Sequence, residues 1–161
     1  MPLFAGQAEI TIDAKQRVAI SSKFRAQLEA ETPNADETST PVVWYAMPWP
    51  EGPHIRLIPE ETFRELASEQ AGSLTLASDE ANVRTTLFSL AERLEMDKAG
   101  RVRIPKNLLE MTQMPDSGEV VVLGANHWLE IRERASWRSN ESMLFAKLPD
   151  MIDRINESHR R

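Results

Sequence analysis

The stretch E-R-L-E-M-D-K-A-G-R-V-R-I-P-K-N-L-L, residues 92–109, decides how the chain is built. Leu94 and Met96 alternate with charged neighbours, and so do Val102 and Ile104, which is the two-residue period of half-buried strands. Between the two runs, Asp97-Lys98-Ala99-Gly100-Arg101 reads as a turn in which Gly100 takes positive φ without a Cβ clash. Pro105 ends the second strand and opens a helix through Leu108 and Leu109. Lys98, Arg101, Arg103 and Lys106 share this segment with Asp97 as the nearby acid. The expectation is a hairpin with a positive tip and second strand, followed by a helix.

The same pattern occurs earlier. Residues 8–28 read A-E-I-T-I-D-A-K-Q-R-V-A-I-S-S-K-F-R-A-Q-L. Asp13, Arg17, Val18 and Ile20 fall on Asp97, Arg101, Val102 and Ile104 at one offset (97 − 13 = 84), and Ile10 and Ile12 fall on Leu94 and Met96. Further on, Phe63 matches Trp137 at a shorter offset (137 − 63 = 74), which places roughly ten extra residues of the first copy in 31–41. A repeat of this kind fixes the architecture before any single motif does. It divides the chain into a first repeat over residues 5–70, a connecting helix over 71–91, a second repeat over 92–140 and a C-terminal helical tail over 141–161.

Composition narrows the functional classes. A chain of 161 residues, 41% hydrophobic and 27% charged, suits one domain or two small halves sharing a core. No apolar run approaches the ~20 residues of a membrane span, and the N-terminus lacks the pattern of a signal peptide. With no cysteine, disulfides, thiolate metal sites and cysteine nucleophiles are excluded, which fits a cytoplasmic protein. The net charge of −6 is unevenly spread. Of six cations in the first 80 residues, Lys15, Arg17, Lys23 and Arg25 lie within residues 13–25 of the repeated segment, where Asp13 is the only acid. Phosphate is bound by such local clusters, within a Debye length of about 10 Å, rather than by net charge.

Along the chain, Ser21 or Ser22 is expected to cap a helix over 23–29 that buries Phe24 and Leu28. Residues 32–41 read as an exposed polar loop. Strands are expected at 42–45 and 54–58, then a helix opened by Pro59 with Phe63, Leu66 and Ala67 on one face and Glu60 and Glu61 in its first turn. Val83, Leu87 and Leu90 follow the stripe of a core-facing helix capped by Asp79. Strands at 119–123 and 128–131 follow. The tail is expected to pack on the body through Trp137, with Pro149 splitting or kinking it.

Two copies of hairpin–helix–hairpin–helix, each with D-x-x-x-R in its first hairpin, resemble the MraZ family of bacterial transcriptional regulators. The resemblance runs from F-A-G-Q-A-E-I-T-I-D-A-K-Q-R through I-R-L-I-P-E-E-T-F and L-E-M-D-K-A-G-R-V-R-I-P to V-V-V-L-G-A-N-H-W-L-E-I-R-E-R-A-S-W. It implies an α+β fold: a tandem-duplicated swapped-hairpin (AbrB-like) β-barrel core flanked by helices, arranged as a pseudo-twofold monomer. It implies a homo-oligomeric ring that presents its hairpins to double-stranded DNA, bound as short direct repeats upstream of the division and cell-wall gene cluster. A nucleoid-associated location follows, with no cofactor, no membrane partner and no small-molecule substrate. The DNA-contacting motif falls on Asp13, Lys15 and Arg17 in the first copy and Asp97, Lys98 and Arg101 in the second. The first copy departs from the family pattern in Gln16 and Ser21, where glycine and proline are usual. If that turn needs positive φ, Gln16 costs about 1 kcal/mol, so a reshaped first turn is expected.

Arginine at a hairpin tip can fork to phosphate or to a guanine edge in the major groove. Lys15, Lys98 and Lys23 suit phosphate contacts, and Arg25 and Arg103 extend the basic patch. Asp13 and Asp97 are expected to orient their arginines or to cap the turns. The same spacing also suits a plain salt bridge. His54, His127 and His159 show no ligand spacing and read as surface or internally satisfied groups. Ser21-Ser22 reads as a cap and Glu60-Glu61 as a solvated face, so no enzymatic constellation emerges. Trp44, Trp128 and Trp137 read as core or interface, and Trp49 as the exposed one. A second reading keeps the fold as an oligomeric scaffold without DNA binding. A third, a toxin-binding tail, is disfavoured by the expected packing of that tail.

Overall fold

Alternating apolar residues build strands that the two copies exchange. The computed structural model describes residues 1–31, 40–69 and 78–161. Its elements are β1 (Gln7–Ile12), β2 (Arg17–Ala19), α1 (Ser22–Glu29), β3 (Val43–Trp49), β4 (His54–Pro59), α2 (Glu60–Glu69), α3 (Ser78–Leu90), β5 (Glu92–Glu95), β6 (Arg101–Arg103), α4 (Lys106–Met111), β7 (Gly118–Gly124), β8 (Leu129–Glu133) and α5 (Arg134–His159). Most of the loop expected over 32–41 and the start of the connecting helix lie outside the described residues.

The mixed α+β fold holds one six-stranded antiparallel sheet, β1-β7-β8-β4-β3-β5, and a two-stranded ribbon, β2-β6. The first strand of each hairpin joins the other copy: β1 pairs with β7, and β5 with β3. Read from either end, the sheet order exchanges equivalent strands, a pseudo-twofold arrangement. Two register points mark the axis. Val18 lies opposite Val102, its own repeat equivalent. Arg56 lies opposite Glu130, flanked by Ile55 against Ile131 and Leu57 against Leu129. The expected closed barrel is not formed by the described strands. After each Asp turn the second arm leaves the sheet for the β2–β6 ribbon, so among the described residues β1 and β5 are the edges of the sheet.

One core gathers residues from both copies, with Phe4, Ile12, Val18, Phe24, Trp44, Ile55, Leu57, Val102, Leu108, Leu109, Leu129 and Ile131 all essentially buried. Phe4 packs against Phe24 and Trp44, at ring separations of 6.4 and 5.9 Å. Its backbone bridges to Asn126. Gly124 permits this approach, because a Cβ there would lie 2.6 Å from the Ala5 nitrogen.

The helices depart from expectation in three respects. Ser21 stands at the N-cap of α1 but its hydroxyl makes no capping bond and lies buried without a partner. On α3 no residue is buried and Val83 is 57% exposed. Phe88, not the Val83–Leu87–Leu90 stripe, ties α3 down, meeting Phe63 edge-on at 5.5 Å while Phe63 stacks on Tyr45 at 4.1 Å. Pro149 does not split the tail, which forms one helix of 26 residues capped by the Glu133 carboxylate. A proline removes one backbone donor, and the carbonyl it leaves behind, that of Phe145, lies on a solvent-exposed stretch where water replaces it. Among the described residues α5 packs on the body through its first turns, and Phe145, Leu148, Ile152 and Ile155 stand exposed. No described helix is long and apolar enough to cross a membrane.

Candidate nucleic-acid interface

The two Asp–Arg turns adopt one geometry. In the first, the Gln16 amide donates to the Asp13 carbonyl (2.9 Å) and the Asp13 amide to that of Arg17 (3.1 Å). Asp13 Oδ1 accepts from the amides of Lys15 and Arg17, both at 2.9 Å, and Oδ2 accepts from Arg17 Nε at 2.7 Å. In the second, Asp97 Oδ1 accepts from the amides of Ala99 and Arg101 at 2.9 Å, and Oδ2 from Arg101 Nε at 3.0 Å. Each aspartate therefore caps its turn and orients its arginine at once. Backbone donation from the following arginine, foremost, holds both carboxyls below their ordinary range. The pairs are salt bridges too, but with side chains 30–40% exposed they contribute little stability.

The first turn is not reshaped. Gln16 accepts the left-handed conformation at φ 59°, beside 78° for Gly100. Its side-chain amide bonds to the Ala14 carbonyl at 3.0 Å. Each tip is also held by the opposite copy: the Ile104 amide donates to the Gln16 carbonyl and the Ile20 amide to that of Gly100, both at 2.8 Å.

This locking brings the arginines together. In the β2–β6 ribbon Arg17 lies opposite Arg103 and Ala19 opposite Arg101, while Val18 and Val102 point into the core. Side chains alternate along a strand, so Arg17, Arg101 and Arg103 share the outer face. Both aspartates are consumed by Nε and backbone donors, and among the described residues neither arginine spends an Nη group on a hydrogen bond. Two arginines directly opposite each other repel; a polyanion relieves that cost. Lys15 and Lys98 stand exposed at the tips.

Two sequence candidates sit elsewhere. Lys23 donates to the Gln7 carbonyl at 2.6 Å and rests against Gly6, tying α1 to the start of β1. Arg25 donates from Nε to the Ile20 carbonyl at 3.1 Å and lies across Gly100, so it supports the second tip from behind.

A polar cluster on the pseudo-axis escaped the sequence reading. His54 is 2% exposed; its Nδ1 meets the Gly52 carbonyl at 2.8 Å, and its Nε2 accepts from Arg56 Nε at 3.1 Å. That pattern assigns a neutral ring protonated on Nδ1. Burial, chiefly, lowers its proton affinity. Arg56 is sandwiched between Trp49 and Trp128, 4.0 and 4.8 Å from their ring centres. These groups satisfy one another and so read as structural. In sequence only Trp49 stands near Arg56; Trp128 is 72 residues further on (128 − 56 = 72).

Comparison with known proteins adds lineage. Residues 87–154 match the family model described as "MraZ protein, putative antitoxin-like". A protein of Roseiflexus castenholzii named "Transcriptional regulator MraZ" is 31% identical, over 92% of this chain and 99% of its own length. Proteins of the same name from Leuconostoc mesenteroides and Herpetosiphon aurantiacus are 30% and 27% identical, each over 96% of this chain and over 95% and 97% of their own lengths.

Proposed function

We propose that this chain, which belongs to the MraZ family, is a sequence-specific DNA-binding transcriptional regulator. One observation carries the reading: three arginines from both copies line one face of a ribbon whose neighbouring acids are already spent on the turns. A two-stranded ribbon is narrow enough for the major groove of B-DNA, where guanidinium groups can fork to guanine O6/N7 or to phosphate. Arg17 and Arg101 then read or clamp, and Lys15, Lys98 and Arg103 neutralise backbone phosphates. Asp13 and Asp97 act as positioning residues.

Each subunit contributes few cations within an acidic chain, so assembly is central to the reading. A ring repeats the patch, and effective concentration multiplies weak single contacts. Successive subunits would meet direct repeats about one helical turn, ~10 bp, apart in the region upstream of the division and cell-wall cluster. Fluorescence anisotropy against the chain's own upstream region, at two salt concentrations, tests this. Selective binding with a steep salt dependence is the expected result. A folded oligomer that binds no sequence selectively would refute it and favour the scaffold reading.

A further inference from the structure

The pseudo-twofold that relates the two copies passes through the β2–β6 ribbon, yet the ribbon's two ends differ. Arg17 and Arg101 are equivalents, and so are Ala19 and Arg103, at one offset (101 − 17 = 84, 103 − 19 = 84). The register sets Arg17 opposite Arg103 and Arg101 opposite Ala19. One end therefore carries two guanidinium groups, and the other a single guanidinium facing a methyl group. Arg103 and Ala19 are both exposed, so the difference lies at the surface. The first tip, whose Gln16 carbonyl accepts from the Ile104 amide, stands at the Arg17–Arg103 end. The second tip, whose Gly100 carbonyl accepts from the Ile20 amide, stands at the other. Each tip adds one exposed lysine, Lys15 or Lys98, so the tips do not even out the charge. Lys106, exposed at the start of α4 just beyond Arg103, adds to the same end, offset in part by Glu110 one turn on.

We propose that this asymmetry divides the ribbon's work on DNA: Arg101 reads a base edge, while Arg17 and Arg103 together clamp a phosphate. The proposal rests on the DNA-binding reading above and names, within it, the specificity-determining residue. Directly opposed residues of an antiparallel pair stand about 5 Å apart at Cα, so Arg17 and Arg103 repel each other until an anion joins them. A phosphate brings a full negative charge and several acceptor oxygens, enough for two guanidinium groups. A base edge brings neither, since guanine presents O6 and N7 and one arginine fork uses both. At the other end Arg101 has no second cation beside it across the ribbon. Its Nε is held by Asp97 Oδ2 at 3.0 Å, which orients the guanidinium and leaves the Nη groups to form the fork. Ala19 opposite is small, which gives the edge of a base pair room to approach the strand. A ribbon with two equal ends would lie on DNA equally well either way round. This one has a preferred direction, so the site each subunit reads is asymmetric rather than palindromic.

The test titrates the full chain against a duplex from its own upstream region that carries one footprinted site, with each base pair of that site changed in turn. Changing the base pair under Arg101 should weaken wild-type binding roughly five- to a hundredfold. Arg101→Lys should still bind, with its salt slope kept, but no longer distinguish that change, because lysine retains the charge and lacks the planar fork. Arg103→Ala should keep the discrimination and flatten the slope of log K against log salt by about 0.9 for each engaged subunit, and Arg103→Lys should restore the slope. Ala19→Arg, which makes the two ends alike, should steepen the slope and weaken the discrimination. Arg103 and Ala19 are exposed, and Asp97 keeps its backbone donors when Arg101 is replaced, so circular dichroism should match the wild type throughout. Discrimination that survives Arg101→Lys, or that disappears with Arg103→Ala, overturns the division of work and leaves DNA binding standing. A wild type that binds no sequence selectively overturns both.

Discussion

Replacing Arg17 or Arg101 by alanine tests whether the ribbon binds as one unit. The two arginines come from different copies, yet they sit on the same outer face, with Arg103 opposite Arg17 and Arg101 opposite Ala19. If each places an Nη group on a phosphate or base edge, its loss removes a charge-assisted hydrogen bond. Such a bond is worth ~1.5–3 kcal/mol, or roughly ten- to a hundredfold in Kd. Where the partner is a phosphate, the substitution also flattens the slope of log K against log salt by about 0.9 for each engaged subunit. Arg17→Ala and Arg101→Ala should therefore weaken binding to similar extents. Pairing Arg17→Ala with Arg103→Ala should cost less than the sum, because each single change already relieves the repulsion between opposed guanidinium groups. Fold is preserved: Asp13 Oδ1 and Asp97 Oδ1 keep their backbone donors, and the ion pairs removed are solvent-screened. Lys23→Ala is the control, since its ammonium is already bound to the Gln7 carbonyl and its removal should leave the salt slope unchanged. Anisotropy titrations at several salt concentrations supply the numbers. Binding that depends on one copy's arginine and ignores the other's would refute the composite site.

Two further outcomes follow from the packing. Gly124→Ala drives a methyl group to 2.6–2.8 Å from the backbone of Phe4 and Ala5, atoms that cannot rotate away. Overpacking of this kind should cost about 1–3 kcal/mol, read as a lower urea midpoint at unchanged m-value. His54 titrates lower in the folded chain than its ordinary 6.5, mainly because it is buried. The unfolded chain therefore binds the proton first: stability is full above that ordinary value and declines as the pH falls from it toward the folded-state one. Thermal melts between about pH 7.5 and 5 should show the decline and His54→Gln should flatten it; an equally steep variant would clear His54 of the effect.

Much of this was legible because repeats leave two independent marks. The period-2 alternation at Ile10, Ile12, Leu94 and Met96 located strands, and the single offset between the copies paired Asp13 with Asp97 from residue order alone. The strand partners were not legible. Nothing local in β1 says that it pairs with β7, because the alternating face serves any neighbour equally well. The apolar stripes of α3 and α5 were correctly read as helical and wrongly assigned to this chain's own core. A stripe records an apolar face, not what that face packs against. Pro149 does not end the helix, since its cost depends on whether water reaches the freed carbonyl. The cluster of His54, Arg56 and Trp128 depends on a register crossing the pseudo-axis, which no spacing within one copy reveals.

Gln16, the departure that most threatened the first tip, is intelligible once the copies are seen to interlock. Arg25 of the first copy's helix lies across Gly100 of the second copy's tip, with its Cδ, Nε and Cζ 3.1–3.2 Å from where a Cβ would stand. The symmetry-related pair is Leu109 with Gln16, displaced by the same 84 residues (109 − 25 = 84). One half thus sets a long helix residue over a bare tip; at the equivalent positions the other half has the shorter Leu109 and a tip that carries its own side chain, 8% exposed. Volume is exchanged between two positions, and the turn geometry survives in both. Gly100→Gln alone should then cost about 1–2 kcal/mol, from the left-handed φ and the crowding of Arg25. Arg25→Leu alone forfeits the bond to the Ile20 carbonyl. Combined, they recreate the Gln–Leu pairing of the first half, and the double variant should be more stable than the sum of the singles predicts by at least ~0.5 kcal/mol. A strictly additive cycle would sink the exchange argument. A favourable coupling would mean that the first tip remains as well supported as the second, so that both arginines reach the ribbon face on equal terms.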